Sequence, residues 1–88
     1  MQNILIIEDD KTIAENIAFA LEKDSFSWAW HDNGYDSLDY LDDNQVDLVL
    51  LDVGLPDISG FDVLRKIRSN SNVPVVIISA RDDEADQV

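Results

Sequence analysis

Four apolar residues in unbroken succession, Leu48-Val49-Leu50-Leu51, run directly into Asp52. A run without polar alternation suits a strand covered on both faces, as in a parallel sheet packed between helices. An ionised carboxylate at the tip of such a strand is costly unless a polar or cationic partner meets it there. The same pattern recurs twice: Ile4-Leu5-Ile6-Ile7 leads into Glu8, Asp9 and Asp10, and Val75-Val76-Ile77-Ile78 leads into Ser79. Ligands of open α/β sheets sit beyond the carboxyl ends of the strands. Three strand tips carrying acids and a hydroxyl therefore predict one shared polar site.

The segments between the strands read as helices. Residues 3–7 form the first strand. Thr12-Ile13-Ala14-Glu15 has the spacing of a capping box, and Ile13, Ile17 and Leu21, with Ala14 and Ala20, recur at helical intervals up to about Lys23. Glu8–Asp10 would then lie near the positive end of a helix dipole, which eases their crowding. Phe26-Ser27-Trp28-Ala29-Trp30 is predicted as the second strand, with both tryptophans on one face against the same core or helix. His31 falls on the other face and, without a second histidine nearby, is assigned no role.

Asp32-Asn33-Gly34 is a turn signal, followed by a short helix from Tyr35 to about Asp43 with Leu38 and Leu41 inward. After the central strand, the loop from Val53 to Gly60 precedes a third amphipathic helix marked by Phe61, Val63, Leu64 and Ile67. Val73-Pro74 leads into the fourth strand, and the acid-rich segment from Asp82 reads as a further helix start. The alternation of strand and helix predicts a parallel α/β sheet with right-handed crossovers.

At 88 residues the chain is one small domain, and its 45% hydrophobic content is enough for a globular core. Nineteen acidic against six basic residues give a net charge of −13, which argues against contact with nucleic acid or an anionic membrane surface. Most of that excess reads as a solvated face; three or four acids suffice to hold a hard cation. There is no cysteine, so thiolate metal sites and disulfides are excluded. No apolar stretch is long enough to span a bilayer, and the N-terminus lacks the features of a signal peptide. A cytoplasmic protein is the expectation.

Ile4–Asp10, Asp52 with Leu55-Pro56-Asp57 and Gly60, Val63–Arg68 and Pro74–Ala80 together resemble the receiver domain of bacterial two-component response regulators. The resemblance runs in order over nearly the whole chain. It implies a flavodoxin-like doubly wound sheet of order 2-1-3-4, with the family's fifth strand and helix absent from these 88 residues. It implies that Asp52 is the phosphoacceptor, phosphorylated by a sensor histidine kinase through a covalent aspartyl phosphate. Glu8 and Asp9 resemble the acidic pair that helps to hold Mg²⁺, the Gly54 main-chain carbonyl resembles the remaining protein ligand, and Ser79 the hydroxyl that binds a phosphoryl oxygen.

Charge physics points the same way. Two carboxylates about 4 Å apart repel by roughly 4 kcal/mol at an effective dielectric near 20. Three converging acids would force one to take a proton unless a divalent cation were present. Mg²⁺ favours six oxygens, with few carboxylates and several waters. Direct bonds are expected from Asp9, Asp52 and the Gly54 carbonyl, with Glu8 acting through water.

Blander roles are expected for the neighbouring acids and glycine. Asp10 reads as a helix cap or turn residue, Asp57 as a loop stabiliser through an Asx-type bond, and Gly60 as a residue supplying an unusual backbone conformation. Asp82, Asp83 and Glu84 fit an acidic first helical turn. Gly54 and Arg81, flanking the site, are where control of the phosphorylated state's lifetime is expected.

One departure from the family pattern matters. The family carries a lysine after its fifth strand, and Lys11, Lys23 and Lys66 stand in the wrong places to replace it. Residues 1–88 are therefore expected to be an incomplete receiver domain of a longer parent. The fourth strand would be a bare sheet edge, inviting self-association or a homodimer. Ile4–Asp10 and Leu55–Arg68 are most similar to the subfamily whose output is a winged-helix DNA-binding domain, so any contact with DNA is expected only through an output domain outside this sequence. Two alternatives carry different chemistry. A Mg²⁺-dependent phosphohydrolase of the aspartyl-phosphate type would want a second acid close behind the nucleophile, where Val53-Gly54 stands. A pseudo-receiver would bind partners without phosphorylation, which the intact Glu8, Asp9, Asp52 and Ser79 argue against.

Overall fold

The computed structural model describes residues 2–78. Ser79, Arg81 and the acid-rich segment from Asp82 lie outside the described residues. Elements alternate as β1 (Asn3–Ile7), α1 (Lys11–Lys23), β2 (Ser27–His31), α2 (Gly34–Asp43), β3 (Leu48–Asp52), α3 (Gly60–Asn70) and β4 (Val75–Ile78). All strands pair in parallel, in the order β2-β1-β3-β4. Leu5 stands opposite Ala29 on one side and Val49 on the other, and Leu50 opposite Val76. The order expected from the resemblance is the order found.

The unbroken apolar runs explain the layers. Successive side chains of a strand point to opposite faces, so an all-apolar strand feeds two cores. Leu5, Ile7, Val49 and Leu51 pack with Val63 and Ile67 of α3 and with Leu38 and Leu41 of α2. Ile6 points the other way and packs with Ala14 and Ala18 of α1, with Trp30 against them. Small residues at 14 and 18 let α1 lie close to the sheet, while Ala20 is exposed. No helix among the described residues is long and apolar enough to cross a membrane.

Helix ends differ from expectation in instructive ways. Asp10 caps α1, as one of its two expected roles, and the capping box expected at Thr12 does not form: the Asp10 Oδ1 accepts from the Thr12 and Ile13 N–H groups at 2.9 and 3.2 Å. Thr12 is thereby drawn into the first turn, and Glu15 lies 4.0 Å from Lys11 instead of reaching back as a capping box requires. Asn33 caps α2 by accepting from Asp36 N–H (2.9 Å), and Ser59 caps α3 by accepting from Phe61 N–H (3.1 Å). Phe61 does not share the inward face of Val63 and Ile67; it is 58% exposed. Two residues of helix separate it from Val63, about 200° around the axis.

The second strand is displaced by one residue, Ser27–His31 in place of 26–30. Trp28 and Trp30 both face α1, as their spacing predicts, although Trp28 remains 38% exposed and donates its indole N–H to Glu22 (2.9 Å). The His31 ring lies against Tyr40 of α2, with centroids 5.2 Å apart. Gly60 holds its place for a reason other than backbone freedom, since no glycine among the described residues has positive φ. A Cβ there would lie 2.4 Å from Val53 Cα and 2.7 Å from the Asp52 carbonyl oxygen, so only glycine lets α3 begin this close to the end of β3.

Candidate functional site

Parallel strands present their carboxyl ends to one edge of the sheet, and β1 and β3 are neighbours there. Glu8 follows β1 directly and is held by its backbone. Its N–H donates to the His31 carbonyl (3.1 Å), and its own carbonyl accepts the Trp30 indole N–H (2.7 Å). The side chain is 1% exposed. Oε2 accepts from Asp10 N–H (3.1 Å), whereas Oε1 is buried with no hydrogen-bond partner among the described residues. Asp52 closes β3, 4% exposed, with Oδ1 accepting from Gly54 N–H at 3.3 Å. Asp9 stands exposed at the rim.

One carboxylate oxygen from each of Glu8, Asp9 and Asp52 lies within 4.8 Å of the other two. At such distances like charges oppose one another by a few kcal/mol. The ion pairs found among the described residues, Lys11–Glu15 and Arg65–Asp62, bring no cation to this group. Burial pushes the Glu8 carboxyl up to about 7; the neighbouring Asp52 and Asp9 carboxyls add to this, and the Asp10 N–H opposes it. An unpartnered buried oxygen beside two further carboxylates is a donor set for a hard divalent cation, since oxygen ligands are what Mg²⁺ and Ca²⁺ take. The three acids thus fit a metal ion by their chemistry, independently of any likeness to another protein.

Of the residues singled out in the sequence, Glu8, Asp9 and Asp52 come together. Gly54 follows at two residues from Asp52 and is half-buried. Asp10 is occupied as the α1 cap. Asp57 does more than the expected local loop bond. Its Oδ1 accepts from Ile58 N–H (2.9 Å) but also from Gly34 N–H (2.8 Å), and Oδ2 accepts from Tyr35 N–H (2.9 Å) at the start of α2. Burial alone would raise its pKa, and the N–H groups of Gly34, Tyr35 and Ile58 together outweigh that and hold it below the usual carboxylate value. Sequence reasoning missed both this bridge and the Trp30 bond to the Glu8 carbonyl. Each joins residues more than 20 positions apart, and no local pattern encodes either.

A family model described as the response regulator receiver domain matches residues 4–88. The sensory transduction protein RegX3 of Mycobacterium tuberculosis is 41% identical over all 88 residues, and the transcriptional regulatory protein AfsQ1 of Streptomyces coelicolor is 38% identical over the same length. The chain spans 39% of the length of each of these relatives. Among solved structures, the response regulator protein TrrA of Thermotoga maritima in complex with Mg²⁺-BeF superposes with a TM-score of 0.88 at 26% identity, covering 100% of this chain and 77% of that one. TrrA in complex with the histidine kinase ThkA gives 0.86 at 28% identity, over 91% and 70% of the two chains. This chain therefore belongs to the family of response regulator receiver domains.

Proposed function

We propose that Asp52 accepts a phosphoryl group from a sensor histidine kinase, in a pocket where Glu8, Asp9, Asp52 and the Gly54 main-chain carbonyl hold Mg²⁺. The observation that carries this reading is the meeting of three carboxylates within 4.8 Å around a buried Glu8 oxygen that has no partner. TrrA, solved both with Mg²⁺-BeF and with a histidine kinase, supports the cation and the partner. When bound, Mg²⁺ supplies positive charge against the oxygens of the transferring phosphoryl group.

The remaining work falls to the chain itself. Asp52, held at the strand end by pairing with β4, directs a carboxylate oxygen at phosphorus. An O–P bond forms as the P–N bond of the kinase phosphohistidine breaks; the bond pair returns to the imidazole nitrogen, and the ring leaves neutral by keeping one proton on its other nitrogen or by taking one up from solvent on the nitrogen that carried phosphorus. The product is an aspartyl phosphate. Ser79, one residue beyond β4, is assigned the donor to a phosphoryl oxygen. The protein carrying this receiver domain is a cytoplasmic signalling protein rather than an enzyme, and its phosphorylated state governs transcription through a DNA-binding output, as the likeness to AfsQ1 supports.

Incubating the intact protein with Mg²⁺ and a small phosphodonor tests the reading. An acid-stable, hydroxylamine-labile phosphoryl mark is expected, absent in Asp52→Asn and absent when the metal is chelated. A mark that survives in Asp52→Asn, or multiple turnover of a phosphate ester without a marked protein, overturns it.

A further inference from the structure

The loop from Val53 to Ser59 leaves β3 at Asp52 and enters α3 at Gly60. Its neck is shut by backbone contact, with Gly60 N–H donating to the Val53 carbonyl (3.1 Å). Its far end is tied to a different element. Asp57 spreads its two oxygens over the N–H groups of Gly34 and Tyr35, at 2.8 and 2.9 Å, in the first turn of α2. Ile58 packs beside the same turn so closely that a Cβ on Gly34 would lie 2.7 Å from Ile58 Cγ1. Gly54 sits between the two ties.

The first turn of α2 has its own cap in Asn33, whose side chain accepts from Asp36 N–H. Asp57 therefore does something a local cap does not: it fixes the loop relative to α2. A carboxylate suits the task, because charge-assisted bonds to N–H groups are stronger than neutral ones and the helix dipole favours an anion there. Without it the loop keeps its neck, the Gly54 N–H bond to Asp52 and the apolar packing of Leu55 and Ile58, but loses its hydrogen-bonded anchor on α2.

We propose that Asp57 is a positioning residue for the cation pocket, docking the loop on α2 so that the Gly54 carbonyl faces the carboxylates of Glu8, Asp9 and Asp52. This rests on the reading of that pocket as a Mg²⁺ site. Asp57 itself does not touch the ion.

A Mg²⁺ titration of the intact protein, followed by tryptophan fluorescence, tests the inference, because Trp30 donates to the Glu8 carbonyl and reports on the pocket. Asp57→Ala is expected to weaken Mg²⁺ binding about tenfold, as removal of an outer-shell partner does. Asp57→Asn, which keeps one acceptor oxygen at nearly the same volume, is expected to fall between it and the parent. Asn33→Ala removes the other cap of α2 and is expected to lower the melting temperature with Mg²⁺ affinity unchanged. If Asp57→Ala leaves the affinity unchanged, or if Asn33→Ala weakens it equally, Asp57 is a helix cap and the proposal fails; should Asp57→Ala not fold, Asp57→Asn decides by the same comparison. A parent protein without any response to Mg²⁺ overturns the reading of the pocket and this inference with it, an outcome distinct from a binding parent and an indifferent variant.

Discussion

Glu8 sits in surroundings that oppose its own charge. Folded, it keeps its proton until about pH 7, whereas the unfolded side chain releases it near 4.5. Between those values the folded state binds more protons, so unfolding free energy falls as pH rises through the window, by an amount on the order of 3 kcal/mol. The metal-free protein is therefore expected to melt lower at pH 8 than at pH 5. Mg²⁺ should raise the melting temperature more at pH 8, where Glu8 is ionised, and Glu8→Gln should remove most of both effects. Equal Mg²⁺ shifts at the two pH values, measured by calorimetry, would count against this account. Asp57 has the opposite sign. Its pKa is depressed in the folded state, so its contribution is present above the ordinary carboxylate range and fades as pH falls through the folded value; Asp57→Asn should flatten the acid limb of the melting curve. The contrast shows what the sequence makes legible at single residues. The meeting of Glu8, Asp9 and Asp52 follows from strand ends and is readable, while the partners of Asp57 depend on how α2 docks beside the loop.

Elements were legible wherever one local signal acted alone. Apolar runs marked the strands, and their parallel order followed from the alternation with helices and from the receiver-domain resemblance. Misreadings arose where two signals competed: Asp10 outranked Thr12 as the α1 cap, being a carboxylate with two N–H groups in reach, and Phe61 was apolar but on the wrong side of its helix. α1 ends at Lys23 as expected, but the turn that closes it was not foreseen. Ser25 takes φ 66°, with its N–H donating to the Glu22 carbonyl and Phe26 N–H to the Leu21 carbonyl, both at 3.1 Å, a closure usually built on glycine. Ser25→Gly is expected to stabilise the protein by about 0.5–1 kcal/mol, seen as a higher denaturant midpoint with an unchanged slope. Gly60→Ala is expected to do the reverse. Its methyl group would meet the backbone of Asp52 and Val53, which cannot retreat as a side chain could, so a loss above about 2 kcal/mol is expected. A Gly60→Ala variant of parental stability would show that α3 can begin elsewhere.

Over the whole molecule, two opposing terms set how copies meet. Among the described residues β4 is an outermost strand, and its Val76 and Ile77 are 48% and 41% exposed. An apolar strand with unpaired N–H and carbonyl groups is a template for a second chain. Against this stands a net charge of −13 on every copy, which repels at long range. Salt separates the two, because the screening length falls from about 30 Å at 0.01 M to about 8 Å at 0.15 M while apolar contact persists. The 88-residue chain is therefore expected to sediment as a monomer at low ionic strength and to associate, with a concentration-dependent sedimentation coefficient, at 0.15 M and above. Ile77→Lys places a charge on the edge and should restore the monomer at the higher salt with little change in melting temperature. If the chain remains monomeric at every salt concentration, the edge is protected; if association is strongest at low salt, charge patches and not β4 hold the copies together.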